Sequence, residues 1–191
     1  MKTPELKIKK RQTLADQLYG QILEQIVSNK LKQGERLPSE NRIATAFGGL
    51  MRAMEARITV EHATARMAAL RASQKDLARI EATLQELEAS MLARTPSVEA
   101  DYQFHRAIAA ASGNDVFIQM LDCTRQAIEQ GIDVAQKLTR EGSQARVDTV
   151  MREHRQIFEA IRAGDSEAAG VSMSYHLLQA RTRITDHANA V

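Results

Sequence analysis

The sequence predicts an all-α protein: an antiparallel helical bundle of about six helices behind a small helical head. Three observations predict it. The strong helix formers Ala, Leu, Glu, Gln and Arg dominate the composition. Only three prolines, Pro4, Pro38 and Pro96, interrupt 191 residues, too few breakers for a loop-rich or strand-rich chain. Apolar residues recur every three or four positions along most of the chain, which is the period of a helical face.

In the head, Thr13 can cap a helix whose face is Leu14, Leu18, Ile22 and Ile26, ending near Asn29. The turn around Gly34 follows, and Pro38 biases Leu37 toward extended backbone. Ser39 then caps a short helix with Ile43, Ala44 and Phe47, which Gly48 and Gly49 close. The pattern places the head at residues 1–49 and the bundle at 50–191.

The first bundle helix carries Met51, Met54, Ile58, Ala65, Ala68 and Leu70 to about Ala72. Ser73 and Asp76 form a capping box, with Asp in place of the usual Glu. Leu77, Ile80, Leu84, Leu87 and Met91 repeat on one face of the next helix. After the Pro96 loop, Ser97 caps a helix through Phe104 and Ile108 that ends at Gly113, a favourable C-terminal residue. Asp115 can cap a helix carrying Val116, Phe117, Met120, Leu121 and Ile128, with Gly131 inside the pattern and Gly142-Ser143 ending it. Two more helices, about 145–162 and 166–187, flank Gly164-Asp165.

The net charge of +2 hides an asymmetry. Residues 1–36 hold eight basic and four acidic side chains, net +4, so the remainder is net −2. A basic head on a mildly acidic body suits either a nucleic-acid contact or a solvated lysine-rich tail. Cys123 is the only cysteine, which excludes an internal disulfide and fits a reducing compartment. Its helical setting makes it a small core residue rather than a nucleophile. The N-terminus lacks an apolar signal core, and no apolar run reaches membrane-spanning length, so a cytoplasmic protein without membrane contact is expected.

One constellation carries chemistry. Asp101 and His105 stand at i and i+4, one turn apart on the same helix face, where carboxylate and imidazole can chelate one cation. His154 lies beside the apolar stripe Ile157, Phe158 and Ile161, and His176 lies between Met173 and Leu177. Three histidines and one carboxylate on three helices suit a divalent transition metal: Zn²⁺, Ni²⁺, Fe²⁺, Mn²⁺ or Co²⁺. Four such ligands leave positions for water or an organic acid. Spacing alone does not show convergence, and a single helical histidine is more often a surface or core residue. His62, in a polar stretch, and His187, near the C-terminus, are assigned to solvent. Glu153 adjoins His154 on a different face and makes a poor general base for such a metal. No G-x-S-x-G, P-loop or H-E-x-x-H motif completes a catalytic set, which favours binding over turnover.

A family resemblance adds to this reading. Gly34-Glu35-Arg36-Leu37-Pro38-Ser39-Glu40, between Gln21-Ile22-Leu23 and Ile43-Ala44-x-x-Phe47-Gly48, resembles the opening of a GntR-type winged helix-turn-helix. Glu55-x-Arg57, Asp101-x-x-Phe104-His105, Ala111-Ser112-Gly113-Asn114, Glu153-His154-x-x-Ile157, Ala163-Gly164-Asp165 and Met173-x-x-His176-Leu177 resemble the FCD-type C-terminal domain of the FadR branch. The resemblance covers nearly the whole chain. It implies a homodimeric, ligand-responsive transcription regulator rather than an enzyme, with a metal on Asp101, His105, His154 and His176. It also implies a small carboxylic acid effector paired with Arg57, as a guanidinium fork matches a carboxylate. Asn114 is expected to act structurally at a helix junction.

The chain departs from the family at Gly48-Gly49, which run directly into Leu50. Roughly 40 residues, as a recognition helix, wing and linker would need, are missing there. Without that helix, direct base readout has no carrier. Lys9, Lys10, Arg11, Ser39 and Arg42 are then expected to give only weak phosphate contacts. A natural deletion and an incomplete sequence remain equally open as its origin. Two alternatives stand beside the regulator: a stand-alone metal and carboxylate binding module, and a metalloenzyme acting on a small organic acid.

Overall fold

The computed structural model describes residues 40–93, 97–138 and 144–186. They form six helices: α1 (Glu40–Arg71), α2 (Gln74–Leu92), α3 (Val98–Ala111), α4 (Asp115–Leu138), α5 (Gln144–Arg162) and α6 (Ser166–Asp186). No strand occurs among the described residues. The head helix expected after Thr13, the turns at Gly34, Pro38 and Pro96, and residues Lys9, Lys10, Arg11, Ser39 and His187 lie outside them. So do the Gly142-Ser143 break and the side chain of Arg42.

α1 is the spine of the bundle, because it packs on α6, α4, α3 and α5. α2 lies against α3 and α5, α3 against α4, and α5 against α6. The buried positions of α1 are Leu50, Ala53, Met54, Arg57, Glu61, Thr64, Ala65 and Ala68, one continuous face at alternating steps of four and three. Phe104 and Ile108 from α3, Ile157 and Ile161 from α5, and Met173 and Leu177 from α6 close on that face, each almost wholly buried. Burying each such side chain contributes roughly 1.5–3 kcal/mol.

The helix ends follow local chemistry. Ser73 and Asp76 form the expected capping box: the Ser73 N–H donates to Asp76 Oδ2 at 2.9 Å and the Asp76 N–H donates to Ser73 Oγ at 3.2 Å. Ser97 Oγ accepts from the Ala100 N–H at 3.1 Å. α4 is capped by Asn114, whose Oδ1 accepts from the Val116 N–H at 3.1 Å, and not by Asp115, which is already helical. Gly164, with φ +71°, ends α5 in a left-handed turn that brings the Asp165 N–H to the Ala160 carbonyl at 3.0 Å.

Three local expectations change. Gly48 and Gly49 do not end a helix; α1 runs through them unbroken from Glu40. The conformational cost of two helical glycines, about 1 kcal/mol each, is offset by the packing of Leu50, Ala53 and Met54 just beyond them. Cys123 is exposed rather than in the core, because the inward face of α4 is set by Leu121 and Ile128 and residue 123 falls well off that face. Val116 and Met120 are exposed for the same reason.

Candidate metal centre

Asp101 and His105 project from α3, His154 from α5 and His176 from α6. The four side chains meet: each offers one ligand atom, and all four atoms lie within 4.8 Å of one another. Ligand bonds of about 2.0–2.2 Å place donor atoms about 3–4.4 Å apart around one transition metal, so this set fits with small adjustment. The His154 and His176 ring centroids are 4.2 Å apart, and those of His105 and His176 are 5.4 Å apart. Phe104 meets both His105 and His154 edge-on and walls off one side.

The outer nitrogen of each ring is occupied. His105 Nδ1 lies 2.5 Å from Glu61 Oε2, His176 Nδ1 lies 2.9 Å from Glu153 Oε2, and His154 Nδ1 lies 2.9 Å from the Val150 carbonyl. A carboxylate and a carbonyl can only accept, so each Nδ1 carries the proton and donates. In the neutral ring, that arrangement leaves the Nε2 lone pair to the interior. His105 Nε2 and His154 Nε2 are buried and make no hydrogen bond among the described residues. Asp101 Oδ1 stands 3.3 Å from His154 Nε2 and 3.9 Å from His105 Nε2. Two orphaned lone pairs beside a carboxylate form a donor set suited to a cation.

The electrostatics agree. Burial, together with the neighbouring His154, pushes His176 down to about 3, so its ring is neutral, the form that binds metal. Burial opposes ionisation of Glu61, but Arg57 and His105 outweigh it and hold the carboxyl at about 2. Glu153 is likewise held at about 2, burial being outweighed by hydrogen bonds from His176 and Arg183. Burial also opposes ionisation of Asp101, and His105, His154 and Arg57 pull its carboxyl below the ordinary range. The Asp101 side chain retains 30% of its exposure while the three imidazoles are buried, so Asp101 marks the solvent side of the centre.

Arg57 is buried on α1, its Nε paired with Glu61 Oε1, and its charge acts on Asp101. Sequence reasoning missed Glu61 and Glu153. Glu61 had a legible signal, since it stands four residues after Arg57 on the α1 face that continues to Ala65 and Ala68. Glu153 does not lie on a face turned away from the site. It is buried and joined to His176 across the α5–α6 contact. His62 is not a solvent residue: it is part-buried, and its Nδ1 lies 2.9 Å from both the Gly170 carbonyl and Ser174 Oγ on α6.

A family model described as FCD domain matches residues 52–179. This chain belongs to the FCD-domain family. The FadR-branch bundle read from the sequence is upheld. The Galactonate operon transcriptional repressor of Escherichia coli K12 is 36% identical over 115 residues, covering 60% of this chain and 48% of that protein. The HTH-type transcriptional regulator LutR of Bacillus subtilis 168 is 27% identical over 124 residues, covering 65% of this chain and 57% of that protein. The Uxu operon transcriptional regulator of Escherichia coli K12 is 26% identical over 166 residues, covering 86% and 64%. The FCD chain thus spans about half to two thirds of the length of these relatives. Among solved structures, a Streptococcus agalactiae GntR superposes with TM-score 0.59 at 19% identity, covering 88% of this chain and 99% of that one. Escherichia coli McbR/YncC superposes with TM-score 0.62 at 14% identity, covering 89% and 96%. At these identities the likeness concerns the fold alone. No described helix of the FCD chain is long and apolar enough to cross a membrane.

Proposed function

We propose that this chain is the sensing part of a cytoplasmic, homodimeric, ligand-responsive transcription regulator. In this reading Asp101, His105, His154 and His176 hold one divalent transition metal, and a small carboxylic acid binds there with the help of Arg57. The observation that carries it is the pair of buried, partnerless Nε2 atoms of His105 and His154 facing Asp101. Buried polar atoms without partners are rare, and a metal accounts for both at once. Imidazole and carboxylate ligands suit Zn²⁺, Ni²⁺, Mn²⁺ or Fe²⁺. An acid would approach beside the partly exposed Asp101, and the guanidinium of Arg57 would offset its charge. Relatives whose names are Galactonate operon transcriptional repressor and Putative L-lactate dehydrogenase operon regulatory protein make hydroxy acids the first effectors to test. The nearest spare carboxylates, Glu61 and Glu153, are already committed to imidazoles, which favours sensing over catalysis.

The same reading divides the chain into a partial winged helix-turn-helix at 1–49 and the metal-holding bundle at 50–191. α1 is a single helix from Glu40 to Arg71, which supports the absence of a recognition helix after Gly49. DNA contact would then be limited to weak phosphate binding by Lys9, Lys10, Arg11, Ser39 and Arg42. A gel shift with the protein's own upstream DNA separates this from an intact reader: sequence-specific retention at moderate salt would refute it.

His154→Ala tests the metal reading. The parent chain is expected to purify with about one metal per chain, and the variant to lose most of it. Metal analysis that returned the same stoichiometry for both would remove His154 from the site.

A further inference from the structure

We propose that Glu61 and Glu153 are positioning residues of this centre, each fixing one metal-facing imidazole, and that Arg57 and Arg183 fix the two glutamates in turn. The proposal rests on the metal reading above and extends it outward. Two Arg–Glu–His chains converge on the site, one anchored by Arg57 of α1 and the other by Arg183 of α6. In one, Arg57 Nε pairs with Glu61 Oε1 while Glu61 Oε2 accepts from His105 Nδ1 at 2.5 Å. In the other, Arg183 Nη1 and Nη2 reach Glu153 Oε1 and Oε2, each at 2.7 Å, and Glu153 Oε2 accepts from His176 Nδ1 at 2.9 Å. Arg183 stands in the last turn of α6, so this chain ties the centre to the end of that helix.

A structural ion pair would need only the arginine and the glutamate. Here each carboxylate is shared between a guanidinium and a ring nitrogen: Glu61 gives one oxygen to each, and Glu153 holds Arg183 through both oxygens while Oε2 also meets His176. That sharing has three effects. It locks the tautomer that leaves Nε2 inward, it stops the ring rotating, and its negative charge raises the basicity of Nε2 toward a metal. The arginine keeps the carboxylate ionised and aimed in a buried place. His154 is the internal contrast: its Nδ1 donates to the neutral Val150 carbonyl four residues back on its own helix, which orients the ring without adding charge.

The test uses the whole chain stripped of metal and titrated with Co²⁺ and Zn²⁺ against a competing chelator. Glu61→Gln and Glu153→Gln keep an acceptor oxygen for Nδ1–H but remove the charge. Each is expected to keep one metal per chain at saturation while Kd rises about 10- to 100-fold. The visible bands of bound Co²⁺ are expected to shift, a change that a distant packing defect would not produce. Glu88→Gln, which removes the exposed pair with Arg155 between α2 and α5, is expected to leave Kd and spectrum unchanged. If either buried variant fails to fold, Arg183→Gln at the milder end of its chain is expected to raise Kd several-fold with the same direction of spectral shift. Parental Kd and spectrum in both glutamine variants, or in Arg183→Gln where they do not fold, would overturn the positioning roles. A parent chain that takes up neither metal would instead overturn the metal reading itself.

Discussion

Arg57 answers two demands, and its substitutions separate them. It is buried, its Nε balances Glu61, and its charge helps keep Asp101 ionised. Truncation to alanine would leave Glu61 a buried anion with only His105 beside it, a defect on the order of 3 kcal/mol. Arg57→Lys keeps the positive charge but loses the planar fork that matches a carboxylate. The lysine variant is therefore expected to retain one metal per chain and to bind a small acid about 10- to 100-fold more weakly, since a charge-assisted hydrogen bond contributes about 1.5–3 kcal/mol. Calorimetry of the metal-loaded chain with L-lactate and galactonate checks this. An acid that bound parent and lysine variant equally would exclude Arg57 from the effector site.

At the scale of single helices, the contact between α1 and α6 depends on one absent side chain. A Cβ at Gly170 would lie 2.6 Å from Arg66 Cγ and 2.8 Å from His62 Cε1. The His62 ring has little room to retreat, because its Nδ1 contacts the Gly170 carbonyl and Ser174. Gly170→Ala gains about 1 kcal/mol of helix propensity but costs roughly 1–3 kcal/mol in overpacking. The net expectation is a loss of about 1 kcal/mol, a fall in Tm of roughly 2–4 °C. A thermal melt showing a rise in Tm would mean that the two helices separate more easily than their contact implies. The same helices show what the sequence could and could not reveal. The faces of α2, α3, α5 and α6 were legible because apolar residues recur at helical spacing and Ser, Asn or Gly marks their ends. The candidate ligands were legible because Asp101 and His105 share a face by spacing and His154 and His176 lie beside apolar stripes. Glu61 was legible only through its place four residues after Arg57 on the buried α1 face, and Glu153 was not, because an acidic residue on a helix is ordinarily solvated. Arg57 reaches Glu61 from one turn back on the same helix, whereas Arg183, 30 residues from Glu153, comes within reach only in the folded bundle. The run of α1 through Gly48 and Gly49 was also hidden, since local propensity there is overridden by packing from neighbouring helices.

For the molecule as a whole, the centre joins three helices around α1, so its protonation is coupled to folding. In the metal-free chain, buried His176 stays neutral in the folded state down to about 3, against 6.5 for an ordinary imidazole. Between those values the unfolded chain binds more protons than the folded chain. Stability must therefore fall as pH drops below about 6.5, approaching 1.4 kcal/mol per pH unit for this one group. Glu61 and Glu153 act in the same direction over a lower window: their folded values near 2 lie below the ordinary 4.5, so their contribution is present above 4.5 and is lost as pH falls toward 2. Thermal melts of chelator-treated protein are expected to show a Tm that declines steadily from pH 7 to pH 4, steepening once the carboxylates join. Bound metal should raise Tm throughout, by mass action on the folded state. It should also make the acid decline steeper, because protons compete for the same Nε2 lone pairs. His176→Gln removes the titrating ring, so the metal-free variant is expected to show a flatter Tm between pH 6.5 and 5 while keeping the drop below 4.5. A parent chain whose Tm did not change between pH 7 and pH 4.5 would mean that the imidazole takes up a proton as readily inside the bundle as outside it, contrary to a buried, neutral ligand held ready for a metal.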